Sequence, residues 1–314
     1  MKKLVILEPL GIPQDKLLSL VEEAVAGRME VTAWDTRSEN PEELIRRSRE
    51  ADAVVLSNFP YRREVLEHCP NLKYIDVAFT GVDHVDLDCC REQGITVSNC
   101  AGYSTVAVAD LVFGLVLSLA RNIPQCDAAV RRSGTKNGLV GFELEGKTFG
   151  VVGLGAIGSR VAALANAFGC KVLGYNRSEK HLPGVEQVDL DTLLDQSDIV
   201  SLHVPATADT HHLIDAARIA KMKPTALLIN TARGGVVDSA ALADALNAGR
   251  IAGAGIDVFE TEPPIDPNHP LLTAKNVLAT PHAAFATAQS MEKRAVLVCE
   301  NLKAWLDGHP IHVV

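Results

Sequence analysis

The sequence lacks several features that would place it in other classes of protein. Its seven cysteines include no C-x-x-C pair, and an odd number of cysteines without that spacing predicts neither a zinc site nor a disulfide framework. Positive charge is also in deficit, with a formal net charge of −9 at pH 7, which argues against nucleic acids and anionic membranes as partners. We therefore expect reduced, buried thiols, no metal ion, and no nucleic-acid or membrane partner.

Long apolar runs are missing as well. The run Leu4–Leu7 near the N-terminus is too short for the core of a signal peptide. The longer stretch Val106–Ala120 contains Asp110 and falls short of a membrane span. These absences predict a cytoplasmic protein. A length of 314 residues with 47% hydrophobic residues predicts about two ordinary globular domains.

The first hundred residues alternate between short apolar runs and helical patterns. The apolar runs are Leu4–Leu7, Val31–Trp34, Ala53–Leu56, Tyr74–Ala78 and Ile95–Ser98. The helical patterns are Asp15–Ala26, Pro41–Glu50, Arg63–Cys69 and Leu87–Gln93. Alternating strands and helices indicate a parallel sheet that helices cover on both faces, so we predict a small flavodoxin-like domain.

The rest of the chain contains a second series of alternating strand and helix patterns, from Thr148 to Thr280. Before this series, Ser104–Arg121 has the pattern of one long apolar helix, and the glycine-rich segment Gly134–Gly141 predicts a loop or an arm. The last segment, Ala286–Leu306, has a helical pattern, and we expect it to return to the first domain.

A glycine motif, G-L-G-A-I-G at 153–158, lies in the middle of the chain. An apolar strand pattern precedes it and a helical pattern of small residues follows it. This is the context of a dinucleotide-binding turn, in which the glycines allow a tight turn, close approach of the pyrophosphate and close packing of helix on strand. The N-terminus of the helix would then hold the phosphates.

Three further segments follow strand-like runs, where ligands bind in open α/β sheets. Arg233 enters a glycine turn and suits a carboxylate beside a carbonyl, although a surface arginine in a flexible loop is the alternative. Glu262 lies in an acidic segment that two prolines end, and a solvated acidic loop is equally compatible with it. His282 follows Pro281 just past a strand, and a structural histidine is the alternative there.

Taken in order, these segments resemble the D-isomer-specific 2-hydroxyacid dehydrogenase family across essentially the whole chain. The resemblance rests on the glycine motif, on N-T-A-R-G-G around Arg233, on D-V-F-E-T-E-P-P around Glu262 and on T-P-H at His282. It implies an α/β protein in which a Rossmann doubly wound parallel sheet, residues 101–283, is inserted into a flavodoxin-like substrate domain, residues 1–100 and 284–314. It also implies an active site between these domains and a homodimer through the cofactor domain, with the long helix and the 131–144 arm contributing.

The resemblance further implies NAD(P)-dependent hydride transfer between a nicotinamide and a small D-2-hydroxy acid or 2-oxo acid. Arg233 would bind the carboxylate and the carbonyl oxygen, His282 would exchange the proton, and Glu262 would hold the imidazole and favour its cationic form. The implied substrate residues are Asn58, Phe59, Gly81 and Val82, the last two through their backbone N–H groups. The implied cofactor residues are Gly153, Gly155, Ala156, Ile157, Gly158, Asn176, Arg177, Ser178, His203, Val204, Pro205, Thr210, Thr231, Ala232, Asp257 and Ala284.

The sequence departs from the family pattern at the end of its second cofactor-domain strand. NAD-preferring members have an acidic residue there, whereas this chain has Asn176, followed by Arg177 and Ser178. An aspartate repels a 2′-phosphate and an arginine attracts it, so we expect NADP(H) to be favoured over NAD(H). The alternative is that Arg177 stacks on the adenine and that both cofactors work. The family's tryptophan is also missing from the arm, and Ala107 replaces its serine in the long helix.

The substrate is predicted less closely than the reaction. Ser57–Pro60 contains no arginine suited to a substrate phosphate, and we see no C-terminal regulatory extension, so a phosphoglycerate dehydrogenase is disfavoured. We expect glyoxylate, hydroxypyruvate or a slightly larger 2-oxo acid. The alternative function is that of a dinucleotide-sensing corepressor-like binding protein, which a turnover assay would distinguish.

Overall fold

A computed structural model describes the whole chain, from Met1 to Val314. The chain forms two compact units. The first unit comprises Met1–Ser104 together with Ala286–Val314, and the second comprises Thr105–Phe285. The chain therefore leaves the first unit once and returns to it near its C-terminus.

The first unit is built on a five-stranded parallel sheet. Its strands are β1 (Lys2–Ile6), β2 (Met29–Ala33), β3 (Ala53–Leu56), β4 (Tyr74–Val77) and β5 (Thr96–Asn99). Their order in space is β2-β1-β3-β4-β5, which is the flavodoxin-like order and confirms the predicted fold class. Its helices are α1 (Gln14–Val25), α2 (Pro41–Ser48), α3 (Arg63–Leu66), α4 (Leu87–Gln93) and the C-terminal α12 (Ala288–Leu306).

Burial and capping explain why these elements form. Every residue of β3 and β4 is buried, as expected for central strands that helices cover on both faces. Helix α2 begins after Asn40, whose side chain accepts a hydrogen bond from the N–H of Glu43, and Pro41 occupies its first turn. Helix α12 packs against α1 and β4, so the C-terminal segment completes the helical layer of this unit.

The second unit is built on a seven-stranded parallel sheet. Its strands are β6 (Thr148–Val152), β7 (Lys171–Tyr175), β8 (Val185–Gln187), β9 (Ile199–Leu202), β10 (Leu227–Asn230), β11 (Gly253–Ile256) and β12 (Val277–Ala279). Their order in space is β12-β11-β10-β9-β6-β7-β8. The order reverses between β6 and β9, and doubly wound sheets bind ligands beyond the strand ends at such a switch point.

The helices of the second unit cover both faces of this sheet or lead into it. They are α5 (Thr105–Ala120), α6 (Ile123–Arg131), α7 (Ala156–Ala167), α8 (Leu190–Gln196), α9 (Ala216–Ile219), α10 (Ser239–Asn247) and α11 (Pro270–Thr273). Helix α5 is the predicted long apolar helix, and it packs against α7, β10 and β11. Helix α6 was not predicted. None of its residues is buried, and its large apolar side chains Ile123 and Val130 are exposed.

Residues 132–147, which include the predicted Gly134–Gly141 loop, contain no helix or strand. All seven cysteines are free thiols, and five of them are buried. No single helix of the chain has both the length and the hydropathy needed to cross a membrane, whereas α5 and α6 meet that test when taken together, with a bend of 56° between them.

Candidate active site

The carboxyl ends of three neighbouring strands carry the predicted catalytic residues. Strands β10, β11 and β12 are adjacent in the sheet of the second unit. Arg233 follows β10, Glu262 follows β11 and His282 follows β12. Because the carboxyl ends of parallel strands meet at the same edge of a sheet, the fold brings the three loops together.

Glu262 and His282 form a hydrogen-bonded pair at this edge. The Nδ1 of His282 lies 2.7 Å from Oε2 and 2.9 Å from Oε1 of Glu262. The imidazole is 10% exposed and the carboxylate is 37% exposed. A carboxylate accepts hydrogen bonds, so Nδ1 carries the hydrogen and Nε2 is the nitrogen through which the ring would exchange a proton with a bound molecule.

A fully buried carboxylate, Asp257, holds the turn that carries His282. Its Oδ1 accepts hydrogen bonds from the hydroxyl of Thr280 (2.6 Å) and the N–H of Ala283 (2.8 Å), and its Oδ2 accepts one from the N–H of Ala284 (3.0 Å). The N–H of His282 donates to the Asp257 carbonyl, and His282 has a left-handed φ of 52°. Such a conformation persists in a non-glycine residue only where its surroundings fix it, so Asp257 sets the direction of the imidazole.

The loop that carries Arg233 is built around the carboxamide of Asn230, which is 1% exposed. Its Oδ1 accepts a hydrogen bond from the N–H of Ala232 (3.0 Å), and its Nδ2 donates to the carbonyl of Arg233 (2.9 Å). The Nη1 of Arg233 donates to the carbonyl of Ala232 (2.8 Å). A single buried amide therefore fixes the backbone from which the guanidinium extends.

Gly234 sets the spacing between this loop and the loop that carries Glu262. A Cβ atom at Gly234 would lie only 1.9 Å from the carbonyl carbon of Phe259 and 2.4 Å from the backbone nitrogen of Glu260. Both neighbours are backbone atoms and cannot move aside like a flexible side chain. Only glycine permits the two loops to pack at this distance.

The glycine motif has the geometry that a dinucleotide pyrophosphate requires. Gly153 has a φ of 97°, and a Cβ there would lie 2.5 Å from the carbonyl oxygen of His203. A Cβ on Gly158 would lie 1.9 Å from the carbonyl oxygen of Gly153, whereas a Cβ on Gly155 would meet nothing within 4 Å. The first and third glycines permit close backbone packing, and the second leaves open space of the kind that a phosphate occupies.

Helix α7 begins at this open space, with Gly155 as its N-cap. The N–H of Ser159 donates the first intrahelical hydrogen bond, to the carbonyl of Gly155 (2.9 Å). The N–H groups of Ala156, Ile157 and Gly158 precede it and have no acceptor in the helix. Donors at the positive end of a helix dipole suit an anion, so these residues fit the phosphates of a dinucleotide.

The end of β7 shows a role for Asn176 that the sequence did not indicate. Its Oδ1 accepts a hydrogen bond from the N–H of Leu154 (3.2 Å), and its Nδ2 donates to the carbonyl (2.9 Å) and hydroxyl (3.1 Å) of Ser178. Asn176 thus ties the glycine motif to the following loop, and a contact between its side chain and a ribose stays a prediction. Arg177 is exposed and forms no ion pair or hydrogen bond through its side chain.

The loop after β9 lies against the glycine motif and is held by two polar contacts. The Oγ of Ser201 is 2.9 Å from Nε2 of His203, and the hydroxyl of Thr210 donates to the carbonyl of Pro205 (2.6 Å). Burial lowers the pKa of His203 to about 3, so this imidazole is neutral near pH 7. Val204 lines the turn beside Gly153.

Thr231 and Ala232 follow β10, between the switch point and the Arg233 loop. Thr231 is 8% exposed, and its hydroxyl oxygen is buried without a hydrogen-bond partner. A hydroxyl can donate to or accept from a ribose hydroxyl, and a contact between Thr231 and a ribose stays a prediction.

In the first unit, the predicted substrate residues lie in the loops after β3 and β4. The N–H groups of Gly81 and Val82 are half-buried and donate to no acceptor in this unit. Asn58 is half-buried, whereas Phe59 is fully buried. Phe59 therefore supports its loop from the inside, and Asn58 is the side chain that the loop presents.

Comparison with known proteins agrees with this arrangement. Residues 113–284 match the NAD binding domain of the D-isomer specific 2-hydroxyacid dehydrogenases. The chain is 45% identical over 278 residues to a glyoxylate reductase of Thermofilum pendens, covering 85% of this chain and 82% of the relative. It is 40% identical over 300 residues to a hydroxypyruvate reductase of Thermotoga maritima, covering 94% of this chain and 95% of the relative.

Solved structures show the same similarity. An acyclic imino acid reductase, solved in complex with NADPH and D-Arg, aligns with a TM-score of 0.91 at 34% identity over 99% of both chains. The chain belongs to the D-isomer-specific 2-hydroxyacid dehydrogenase family, and the resemblance inferred from its motifs is confirmed. The family assignment makes it an oxidoreductase with a domain that binds a nicotinamide dinucleotide.

Sequence reasoning missed Asn230 and the supporting role of Asp257. Both are polar residues at or just past the end of an otherwise apolar strand, β10 and β11 respectively. A polar side chain in such a buried position must be hydrogen-bonded. That rule is the signal that would have assigned both residues to the framework of the site.

Proposed function

We propose that this protein is an NADP(H)-preferring reductase of small 2-oxo acids, with glyoxylate and hydroxypyruvate as the leading substrates. The observation that carries the proposal is the contact between His282 and Glu262 at the strand ends that also carry Arg233. The glyoxylate and hydroxypyruvate reductases to which the chain is similar support the choice of substrates.

In this proposal, His282 is the general acid of reduction. Its Nε2 donates a proton to the substrate carbonyl oxygen as that oxygen gains negative charge, and it accepts the proton in the reverse direction. Glu262, bound to Nδ1, holds the ring in place and stabilises the imidazolium that must be present before reduction. Asp257 acts through the turn that carries His282 and is a positioning residue.

Binding of the 2-oxo acid is assigned to both units. Arg233 binds the carboxylate and the carbonyl oxygen, because its planar guanidinium offers two parallel donors. The N–H groups of Gly81 and Val82 add donors to the carboxylate, which agrees with their lack of an acceptor in the first unit. Under this assignment the first unit is the substrate-binding domain and the second is the dinucleotide-binding domain.

The dinucleotide would be held by the glycine motif, the N-terminus of α7 and the loops after β7, β9 and β10. When bound, its reduced nicotinamide supplies a hydride to C2 of the 2-oxo acid. The open space at Gly155 and the unpartnered hydroxyl of Thr231 support this placement. Arg177 would pair with the 2′-phosphate of NADP(H), since its guanidinium has no carboxylate partner in the protein.

A homodimer formed through the second unit is also proposed. Several large apolar side chains of α6 and the segment after it are exposed, among them Val130 at 73% and Val140 at 87%. A second copy of the chain would bury them. Sedimentation equilibrium should give twice the chain mass, and a Val130→Asp, Val140→Asp variant should shift toward the monomer if these residues lie in the interface.

The test of the proposed reaction is a panel of glyoxylate, hydroxypyruvate and pyruvate with NADH and with NADPH, followed by the loss of nicotinamide absorbance. We expect turnover, with a higher kcat/KM for NADPH than for NADH. Dinucleotide binding without turnover of any 2-oxo acid would favour the corepressor-like alternative. Turnover that appears only after an amine is added would favour imine reduction, as in the imino acid reductase.

A further inference from the structure

The loop that carries Glu262 contains a second pair of glutamate and histidine. Oε2 of Glu260 lies 2.8 Å from Nε2 of His269, which is nine positions further along the chain. Nδ1 of His269 accepts a hydrogen bond from the N–H of Leu271 (3.3 Å) at the start of α11. A ring nitrogen that accepts a hydrogen bond carries no hydrogen, so Nε2 is the donor to the Glu260 carboxylate.

This arrangement leaves His269 no nitrogen with which to exchange a proton with a substrate. Both of its ring nitrogens are bound within the protein, whereas His282 binds its carboxylate through Nδ1. The His269 imidazole is 13% exposed and meets the ring of Phe259 edge to face, with 5.0 Å between the ring centres. The pair of Glu260 and His269 is therefore a fixed contact within the loop and not a second acid–base pair.

Glu260 is itself anchored to the framework of the site. Its backbone nitrogen lies against Gly234, where a Cβ atom would approach within 2.4 Å. Burial raises the pKa of the Glu260 carboxyl, but hydrogen bonds from Ser239 and His269 outweigh that effect and bring the pKa below its usual range. Glu260 is therefore ionised near pH 7, and an ionised acceptor strengthens the hydrogen bonds that it receives.

Between the two members of this pair, the chain has few other supports. The segment Thr261–Asn268 is exposed except at Ile265. Apart from the contact of Glu262 with His282, its hydrogen bonds stay within the segment or reach His269. An exposed charged pair contributes little stability by itself, and a segment with few buried contacts opens at little cost. The position of Glu262 therefore depends on how the two ends of the segment are held.

We propose that Glu260 and His269 are positioning residues, which close the loop around Glu262 and keep its carboxylate on Nδ1 of His282. Loss of this closure leaves Glu262 free to turn to solvent, and the His282 imidazole then loses the hydrogen bond that fixes its tautomer and its direction. This inference rests on the proposed function, since it takes His282 to be the general acid. It predicts an effect on proton transfer and none on the binding of substrate or dinucleotide.

The first test compares two backgrounds. His269→Ala should lower kcat for glyoxylate about tenfold or more, because a small misplacement of a catalytic group is costly. It should change KM and the dissociation constant of NADPH by less than about twofold. In a Glu262→Ala background, the same substitution should lower kcat by less than a further factor of about two, since the group that it positions is already absent. An equal loss of kcat in both backgrounds would overturn the proposal.

Two further replacements of His269 separate its contact with Glu260 from its role as the cap of α11. His269→Gln keeps an N–H donor near the place of Nε2 and should restore most of the activity, whereas His269→Asn keeps only an acceptor near the place of Nδ1 and should be as slow as His269→Ala. The reverse order would assign the effect to the cap and overturn the proposal. His68→Ala, at an exposed histidine whose Nδ1 lies 2.8 Å from the carbonyl oxygen of Glu64, is the matched control and should leave kcat unchanged.

A second measurement does not require turnover and separates this inference from the function on which it rests. Long-range ¹⁵N–¹H spectra of the cofactor-free protein report which nitrogen of His282 carries the hydrogen. We expect Nδ1–H in the wild type and a mixture of tautomers in both His269→Ala and Glu262→Ala. If the tautomer responds in this way but the wild type reduces no 2-oxo acid, the positioning of Glu262 stands and the proposed function fails. If 2-oxo acids are reduced and His269→Ala matches the wild type in both spectrum and kcat, the inference alone is wrong.

Discussion

The two units present different kinds of polar group at their strand ends. The second unit presents ionisable side chains, with Glu262 hydrogen-bonded to His282 and Arg233 on a neighbouring loop. The first unit presents the backbone N–H groups of Gly81 and Val82 and the carboxamide of Asn58, with Glu8 paired to Arg37 behind them. A group that transfers a proton must titrate, whereas a group that only recognises a substrate need not. Under the proposed function, proton transfer is therefore assigned to the second unit, and the first unit contributes hydrogen-bond donors to the substrate.

Removal of His282 from the second unit should have the largest effect on kcat. His282→Ala removes the general acid and should lower kcat roughly 100- to 10,000-fold, whereas NADPH should bind with unchanged affinity. Steady-state kinetics and a dinucleotide titration measure the two quantities on the same preparation.

The alternative general acid is a histidine of the first unit. His84 is 8% exposed and lies near the Gly81 turn. His84→Ala should keep most of the turnover, and Glu262→Gln should lower kcat, because a neutral amide stabilises the proton-donating imidazole less well. An inactive His84→Ala beside an active His282→Ala would assign the general acid to the first unit.

Substitution of Arg233 should have the next largest effect. Arg233→Ala removes a charged, doubly hydrogen-bonded contact with the substrate and should cost about 3 kcal/mol in kcat/KM. Arg233→Lys should restore little, since a point charge cannot form two parallel bonds. Near-wild-type kcat/KM in Arg233→Ala would show that recognition of the carboxylate belongs to the first unit alone.

Substitution of Arg177 tests whether a charged side chain of the second unit also binds the cofactor. Arg177→Ala should weaken NADPH binding at least tenfold, or about 1.4 kcal/mol, and leave NADH binding unchanged. Arg250→Ala, at an exposed arginine that precedes β11 at the opposite edge of the sheet, is the matched control. The NADPH affinity of the wild type should also fall more steeply with salt than its NADH affinity. A wild type that strongly prefers NADH would refute the proposed preference.

His203, a second histidine of the second unit, tests how a buried neutral imidazole affects stability. Burial lowers the pKa of His203 to about 3, below the value of about 6.5 for an unfolded histidine. The stability from this neutral ring is complete above about pH 6.5 and is lost as the pH falls. Between pH 7.5 and 5.5, the free energy of unfolding should decrease by about 1 kcal/mol more in the wild type than in His203→Asn. Urea unfolding of the cofactor-free protein measures this, and parallel pH dependences would contradict it.

Most of the fold could be predicted because its signals are local. Buried strands such as Ala53–Leu56 are short apolar runs, and Leu87–Gln93 lies between a polar cap and Gly94. Helix α6 was not predicted: Ile123, Cys126 and Val130 recur at helical spacing in its nine residues, but none of them is buried. A pattern this short is weaker than the longer apolar patterns of the buried elements.

The candidate site was likewise predicted only in part. Arg233, Glu262 and His282 could be named from motifs because each motif is a continuous segment next to a strand. The link between Arg37 and Asn58 joins residues 21 positions apart, and no motif contains both. The supporting bonds of Asn176 and the burial of Phe59 likewise depend on neighbours that only the folded chain provides.

Gly234 has a consequence for attempts to redesign this enzyme. A single added methyl group would collide with the backbone of Phe259. The loop that carries Arg233 and the loop that carries Glu262 must therefore be kept together as one structural unit. A library that varies residues on either loop but keeps this glycine would alter side chains while the scaffold stays in register. A library that replaces this glycine would move the two loops apart. Most of its variants would then lose the packing of the loops, and few would gain a new specificity.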